Sequence, residues 1–433
     1  MIKLGEKADK SIVFISPCSL GMLDGCSIKY AKNLGYTTAV AVDYNFEHKC
    51  KTDHTIYTNT NNADTLIADL AIFNQKYPIA AIVTYSDYHV EVTALANEYF
   101  HLCGPSYSAV LRCKNKLLCR MTLSEKEMPQ PKSRLIKNLE EFTSAVSFIG
   151  VPCVIKPMNG LGSAYTRIIF DLKKASEQFK MLDEEKKKDT LGIGEGWVLE
   201  ECLQGFQISV ESCTYHGETT VICIHDKLNP ILPPLFRVLY SATPSPRITK
   251  TLSTDIEEQT KQVLKLIGFD NGISHTEYRI SEDGKIQLLE INARTGGGLI
   301  IPSAYYSTNI NLYTVAIDLA LGYKPNFDIM NRNPNPVVFR VLYPEEEGKI
   351  KEFTSLFAPE FIEKFDIIEQ SVEVGDLVSR GQRLGLILKC GKHTQTIPEL
   401  VEYIDQAVKN INIKIDPIEE GIPMPSHLNN SAH

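Results

Sequence analysis

Ser274 to Arg294 reads SHTEYRISEDGKIQLLEINAR, two alternating segments on either side of Asp283-Gly284. Asp-Gly is a preferred centre for a two-residue type I′ turn, so this stretch is predicted to be a β-hairpin. If those two residues form the loop, Glu282 pairs with Lys285, and counting outward sets Glu277 directly opposite Glu290. Opposed side chains have Cβ atoms ~5 Å apart, and like charges there repel. Something must offset that repulsion, and a divalent cation between the carboxylates is the economical answer. Asn292 and Arg294 follow Glu290 at period two and share its face. Two carboxylates, an amide oxygen and a guanidinium on one face suit a hard cation carrying phosphate. The alternative, a hairpin whose acids face water, leaves unexplained the apolar Leu288, Leu289 and Ile291 around Glu290, and the Gly296-Gly297-Gly298 that follows.

Only a chain with a sizeable core can hold such a face, and 433 residues suffice for two to four domains. A net charge of −8 argues against nucleic acid or an anionic membrane as principal partner. The Lys/Glu-rich run from Asp183 to Asp189 is short and mixed in sign, which suits a solvated helix end. No run of eighteen apolar residues is present and the N-terminus lacks the apolar core of a secretory signal, so a cytoplasmic location is expected. Eleven cysteines, an odd number with no C-x-x-C, several of them inside apolar runs, read as reduced buried thiols.

Strands alternate with helices from the start. Strands are predicted at 11–15, 37–42 and 80–84, with helices around 28–34 and 90–99, which implies a parallel sheet covered on both faces. The loop after the first strand holds Gly21 and Gly25 but is not G-x-G-x-x-G, so no dinucleotide site is expected there. A second unit begins near Pro129-Gln-Pro131, with strands at 132–136, 153–157, 165–170, 197–203, 207–213 and 219–225 and helices at 139–149 and 255–267. A helix at about 311–321 follows the glycine triplet, and Pro334 and Pro336 mark a boundary. The rest is strand-rich, at 337–342, 367–374 and 378–388, and closes with a helix near 398–411.

Within this order, Lys156 protrudes from the apolar strand Cys153-Val-Ile-Lys-Pro157 beside the glycine-rich Asn159-Gly-Leu-Gly-Ser163. Backbone N–H groups of such turns cradle phosphates, with lysine as a point charge. Glu200 and Glu201, like Lys227, read by themselves as polar strand ends. Asn115-Lys116…Arg120, Pro129-Gln-Pro131, Val154-Ile-Lys-Pro157 with its glycine loop, Val198-Leu-Glu-Glu-Cys-Leu-Gln-Gly205 and Leu289-Glu-Ile-Asn-Ala-Arg294 resemble, in this order, the ATP-grasp superfamily. His225-Asp-Lys-Leu-Asn229 followed by prolines resembles its dipeptide-forming amino-acid ligases, typified by bacilysin synthetase.

The resemblance implies an α/β fold throughout: an N-terminal parallel-sheet domain preceding the ATP-grasp core (1–125), a two-lobed core (126–333, small lobe about 130–203 and large lobe about 204–333), and a C-terminal α/β lid-like domain (334–433). It implies Lys116 and Lys156 on the phosphates of ATP, under the loop containing Gly160, Gly162 and Ser163. Glu200, Glu201 and Leu203 would line the adenine pocket, and Glu211, at the end of the next strand, would approach the ribose. Glu277, Glu290 and Asn292 would hold Mg2+, with Mn2+ as an alternative; Arg294 would meet the substrate carboxylate and acyl phosphate, with Lys227 beside it in catalysis. The implied activity is ligation of a small carboxylate, an amino acid, to an amine, by a homodimer. A carboxylase or purine-pathway type of ligase with another acceptor, and a nucleotide-binding protein without catalysis, are the alternatives. Two departures stand out: Asn115 where the superfamily often has aspartate, and Arg237 where these ligases often have an acid after the aromatic residue, here Phe236.

Overall fold

The computed structural model describes residues 10–15, 23–46, 48, 51–159, 165–187, 196–229, 237–331 and 333–417. The first sheet is parallel, in the order β3-β2-β1-β4, from β1 (Ser11–Ile15), β2 (Thr37–Asp43), β3 (His54–Thr58) and β4 (Ile79–Val83). Ile12, Val13, Phe14 and Ile15 are all buried, as a parallel strand with both faces covered requires. β3 was not expected from sequence: it lies at the sheet edge, with Tyr57 exposed and little apolar signal.

A second, antiparallel sheet runs β5-β8-β6-β7, from β5 (Ser133–Ile136), β6 (Cys153–Pro157), β7 (Arg167–Ile169) and β8 (Trp197–Glu201). Helices Leu139–Ile149 and Leu172–Lys187 cover one face, where Phe142 stacks on Phe179 with centroids 4.6 Å apart and Trp197 closes the cluster. The glycine loop with Gly160, Gly162 and Ser163 lies outside the described residues.

The largest sheet has eight strands. It contains β9 (Phe206–Tyr215), β10 (Glu218–Lys227), β11 (Tyr240–Thr243), β12 (Gly272–Ile280), β13 (Ile286–Asn292) and β14 (Val337–Leu342). The order is β13-β12-β9-β10-β11-β14, continued by Gly385–Cys390 and Ile367–Gln370. Helix Lys250–Ile267 buries Ile256, Val263, Leu264 and Ile267 against one face, over Ile208, Val210 and Tyr278. Helices Ile300–Thr308 and Leu312–Ala320 cover the other; the first escaped the sequence reading because Pro302 sits inside it. Strands from beyond Pro334 thus complete the same sheet through the β11–β14 ladder, Tyr240↔Arg340 to Thr243↔Val337. Gly205 joins the second sheet to the third at φ +99°, and a Cβ there would lie 1.9 Å from the Ile280 carbonyl oxygen, so no other residue fits.

The hairpin forms with Glu277 opposite Glu290, as expected, but by another route. The turn is not a two-residue type I′ loop. The Ser281 N–H donates to Lys285 O (3.1 Å), Gly284 N–H donates to Ser281 O (2.9 Å), and Gly284 has φ +80°. This is a three-residue loop with its glycine in the left-handed region. Near the loop the register is therefore shifted by one, with Ile280↔Ile286 and Tyr278↔Leu288. A β-bulge between Glu277 and Tyr278 leaves Leu289 without a partner and restores the opposition of the two glutamates.

Candidate active site

Each opposed glutamate has its own lysine. Lys227, the last residue of β10, contacts Glu277 Oε1; Gln207 Nε2 donates to Glu277 Oε2 (2.8 Å), and His275 Nε2 lies 3.3 Å from Oε1. Burial alone would raise the Glu277 pKa, but Lys227 and then His275 hold it well below the ordinary carboxylate range. Across the ladder, Lys116 Nζ is 3.6 Å from Glu290 Oε2 and Asn292 Nδ2 donates to Glu290 Oε1 (3.4 Å). The repulsion read from sequence is thus offset here by protein cations. Among the described residues no cluster of three or more His, Cys, Asp and Glu is gathered at metal-binding spacing. The donor set of Glu277, Glu290 and Asn292 nevertheless consists of hard oxygens of the kind magnesium takes.

Lys116 opens helix Lys116–Glu125, and Asn115 caps it, accepting from Leu118 N–H at 3.0 Å. Asparagine serves that position as well as aspartate, so this departure leaves the helix start intact. One turn on, Arg120 is 3% exposed and grips Glu200, Nε to Oε1 at 2.9 Å and Nη2 to Oε2 at 3.4 Å. Its Nη1 donates to Gln130 Oε1 (3.1 Å) and its Nη2 to the carbonyl of Leu289, the bulged residue (2.9 Å). Lys156 completes the group, 2.6 Å from Glu200 Oε2. Glu200 is therefore no solvated strand end but a buried anion between two cations. Burial would raise its pKa, yet Arg120 and Lys156 pull it down to about 2. For Lys156 burial dominates over Glu200 and the pKa falls. Glu201, the last residue of β8, is exposed, and Leu203, in the segment joining the second and third sheets, is half-buried.

A carboxylate depressed in the folded state contributes stability above its unfolded pKa near 4.5, lost as pH falls towards 2. That shift corresponds to about 3 kcal/mol. Glu200→Gln is expected to flatten the decline in stability between pH 4.5 and 2. At neutral pH it should cost ~3–5 kcal/mol, because Arg120 and Lys156 are left buried without their anion. Denaturant unfolding at several pH values reads both effects; an unchanged acid slope would remove the assignment.

Arg294 is 16% exposed and contacts Asp87, with Nη1 donating to Thr295 O at 2.6 Å. Burial would lower its pKa, but Asp87 raises it. Asp87 sits beyond β4 in the first sheet domain and was not singled out in the sequence; only its position after a strand end hinted at a role. Asp87, Lys116, Glu290 and Asn292 line one small cavity of about 20 Å³. A wider groove of about 450 Å³ lies elsewhere, against helix Ile397–Val408, and holds none of these residues. Charged groups that converge, rather than size, mark the site.

Glu211 requires a correction. It lies in the middle of β9, not at its end, and is 0% exposed. Its Oε1 contacts His275 Nδ1 and its Oε2 accepts from Gly296 N–H (3.1 Å), so both oxygens serve the protein, tying the glycine triplet to β9. Burial would lower the His275 pKa, but Glu211 and Glu277 raise it to about 9. His275 was also overlooked, because its partners are remote in sequence or on its own strand. The nine described free cysteines take no part in these contacts; Cys18 and Cys50 lie outside the described residues. No helix among the described residues is long and apolar enough to cross a membrane.

Residues 149–303 match the model of the ATP-grasp domain. The L-arginine-specific L-amino acid ligase of Bacillus subtilis is 24% identical over 339 residues, 76% of this chain and 79% of that protein. The crystal structure of an L-amino acid ligase from Bacillus licheniformis superposes with a TM-score of 0.78 at 18% identity, over 94% of this chain and 99% of that one. The biotin carboxylase domain dimer of Hydrogenobacter thermophilus 2-oxoglutarate carboxylase, solved with MgADP, ADP and bicarbonate, gives 0.71 at 15% identity, over 94% and 91%.

Proposed function

From a chain that carries an ATP-grasp domain, we propose an ATP-dependent ligase that joins the carboxylate of a small substrate, an amino acid, to the amine of another and releases ADP and phosphate. The observation that carries this reading is the placement of Lys116 and Lys227 against the opposed Glu290 and Glu277, with Arg294 two residues beyond β13. ATP lies between the second and third sheets, its adenine against Glu201 to Leu203 and its phosphates towards Lys156 and Lys116. Lys156 is then shared between Glu200 and phosphate, a move that Arg120, fixed on both sheets, leaves room for. Mg2+, for which Glu277, Glu290 and Asn292 supply the oxygens, would draw charge off the phosphates. Arg294, released from Asp87, orients the substrate carboxylate for attack on the γ-phosphorus and steadies the acyl phosphate that results. The amine then displaces phosphate. Positioning and fixed charge supply most of the rate in such a site.

An ADP-release screen over pairs of amino acids, with mass spectrometry of the product, tests this. ADP released only with a carboxylate–amine pair, together with an amide-linked product, is the expected result. ADP release with bicarbonate and no amino acid would instead indicate a carboxylase, and ATP binding without turnover a nucleotide-binding protein. The homodimer belongs to the same reading and is checked by light scattering.

A further inference from the structure

Among the described residues, two arginines bring Nε and Nη2 side by side onto a buried carboxylate, and a third holds the same two nitrogens shut off from solvent. The two are Arg120 with Glu200, and Arg247 with Asp226, where Nε donates at 2.8 Å and Nη2 also contacts the acid. The third is Arg237. Its Nε and Nη2 are both shut off from solvent, and among the described residues neither has a hydrogen-bond partner. Its Nη1 reaches Pro344 O at 3.5 Å. The guanidinium is not loose, since it lies over the Tyr343 ring at 4.9 Å, and the Arg237 carbonyl accepts from Asn229 Nδ2 at 2.9 Å. Burial and the nearby Arg380 push its pKa down, outweighing Tyr343 and Glu347, which raise it. A buried donor left without an acceptor is destabilising, more so on a charged group, so two on one cation call for an anion.

Topology places this edge at the reacting end of the large sheet. Lys227 ends β10, Arg237 lies just before β11, and Tyr343 follows β14 directly, with the Val341 N–H donating to Leu239 O (2.9 Å). On the far side of β14, Arg383 precedes strand Gly385–Cys390, and a Cβ on Gly298 would lie 3.7 Å from its Nη1. The glycine triplet that follows Arg294 therefore packs over the same end of the sheet.

We infer that Arg237 is a specificity-determining residue that receives, side-on through Nε and Nη2, a substrate carboxylate other than the one being activated. The assignment rests on the ligase reading above, and gives the substrate class as amino acids that bring a carboxylate besides the one being activated. Two sources of that carboxylate are distinguishable: the α-carboxylate of the amine-donating amino acid, or an acidic side chain.

The test compares the wild type with Arg237→Gln and Arg237→Lys. ADP release is measured with each active amino acid, with its carboxamide, and with aspartate and glutamate against asparagine and glutamine. The ratio of kcat/KM for acid over amide is expected to fall about 100-fold in Arg237→Gln, with little rescue in Arg237→Lys, whose point charge cannot reproduce the two-pronged contact. Loss on amidating the α-carboxylate identifies the first source, and loss confined to aspartate or glutamate the second. An acid-to-amide ratio equal in wild type and Arg237→Gln overturns the inference and leaves the ligase reading untouched. Independently of turnover, malonate without ATP should raise the melting temperature of the wild type but not of Arg237→Gln, so a protein that failed as a ligase would still report on Arg237. In the absence of any anion Arg237→Gln should melt no lower than the wild type, because it relieves an unsatisfied buried charge. A marked drop in Tm together with an unchanged malonate response would assign Arg237 to the fold alone.

Discussion

Glu290→Gln is expected to lower ligation by about 1,000-fold, the upper range for removing one preorganised electrostatic group. The fold should survive. The Glu290 contact with Lys116 is 3.6 Å long and the carboxylate is 31% exposed, an ion pair of the class that contributes ~0–1 kcal/mol. Tm should therefore move by only a few degrees. Substrate affinity in EDTA should change little, whereas the Mg2+ concentration needed for half-maximal ADP release should rise sharply. A variant with near-normal turnover would remove Glu290 from the metal set. One that loses activity and Tm together would make it a structural residue.

Arg294→Lys is expected to lower kcat/KM by about 100-fold, the cost of losing one charge-stabilising donor whose planar fork lysine lacks. The structure adds a reason why the fold should tolerate it: lysine keeps a positive charge opposite Asp87, the present partner of Arg294. ATP affinity should weaken much less, because the phosphate-side cations Lys116 and Lys156 lie on other elements. Kinetics with saturating ATP and a melting curve separate these outcomes. Wild-type rates in the lysine variant would count against the role, as would a loss that merely tracks unfolding.

What the sequence disclosed was mostly local periodicity, and the elements it placed well are those whose burial alternates or runs unbroken. Strand β6 with Lys156 and helix Leu139–Ile149 are such cases. The Glu277–Glu290 opposition was legible for a partly accidental reason. The loop is a residue longer than Asp-Gly suggested, and the unpaired Leu289 cancels the shift, which no count from the turn could foresee. The ion pairs were not legible. Arg120 and Glu200 are eighty positions apart, and Asp87 and Arg294 more than two hundred, so only the fold states who neutralises whom. The same blindness made Glu200 look like a solvated strand end and put Glu211 at the end of its strand rather than in its middle. In truth both are buried anions with their oxygens committed to protein donors.

The ladder between β11 and β14 decides which part of the molecule can move. A flap swinging on a linker after Pro334 would have to tear four residue pairs from Tyr240↔Arg340 to Thr243↔Val337, in the middle of an eight-stranded sheet. The C-terminal strands therefore act as a girder for the floor of the cleft, and the compliant piece is the four-stranded sheet β5-β8-β6-β7. That sheet shares no ladder with the eight-stranded one; it is joined to it through Gly205, pressed against the Ile280 carbonyl of β12, and through Arg120, which binds Glu200 on one side and Leu289 O on the other. Breathing of the cleft becomes a rotation of this small sheet about a pivot formed by Gly205 and the Arg120 contacts. Amide exchange that slows on adding ATP should accordingly concentrate in β5 to β8 and at the pivot, and leave β14 and strand Gly385–Cys390 as protected as before.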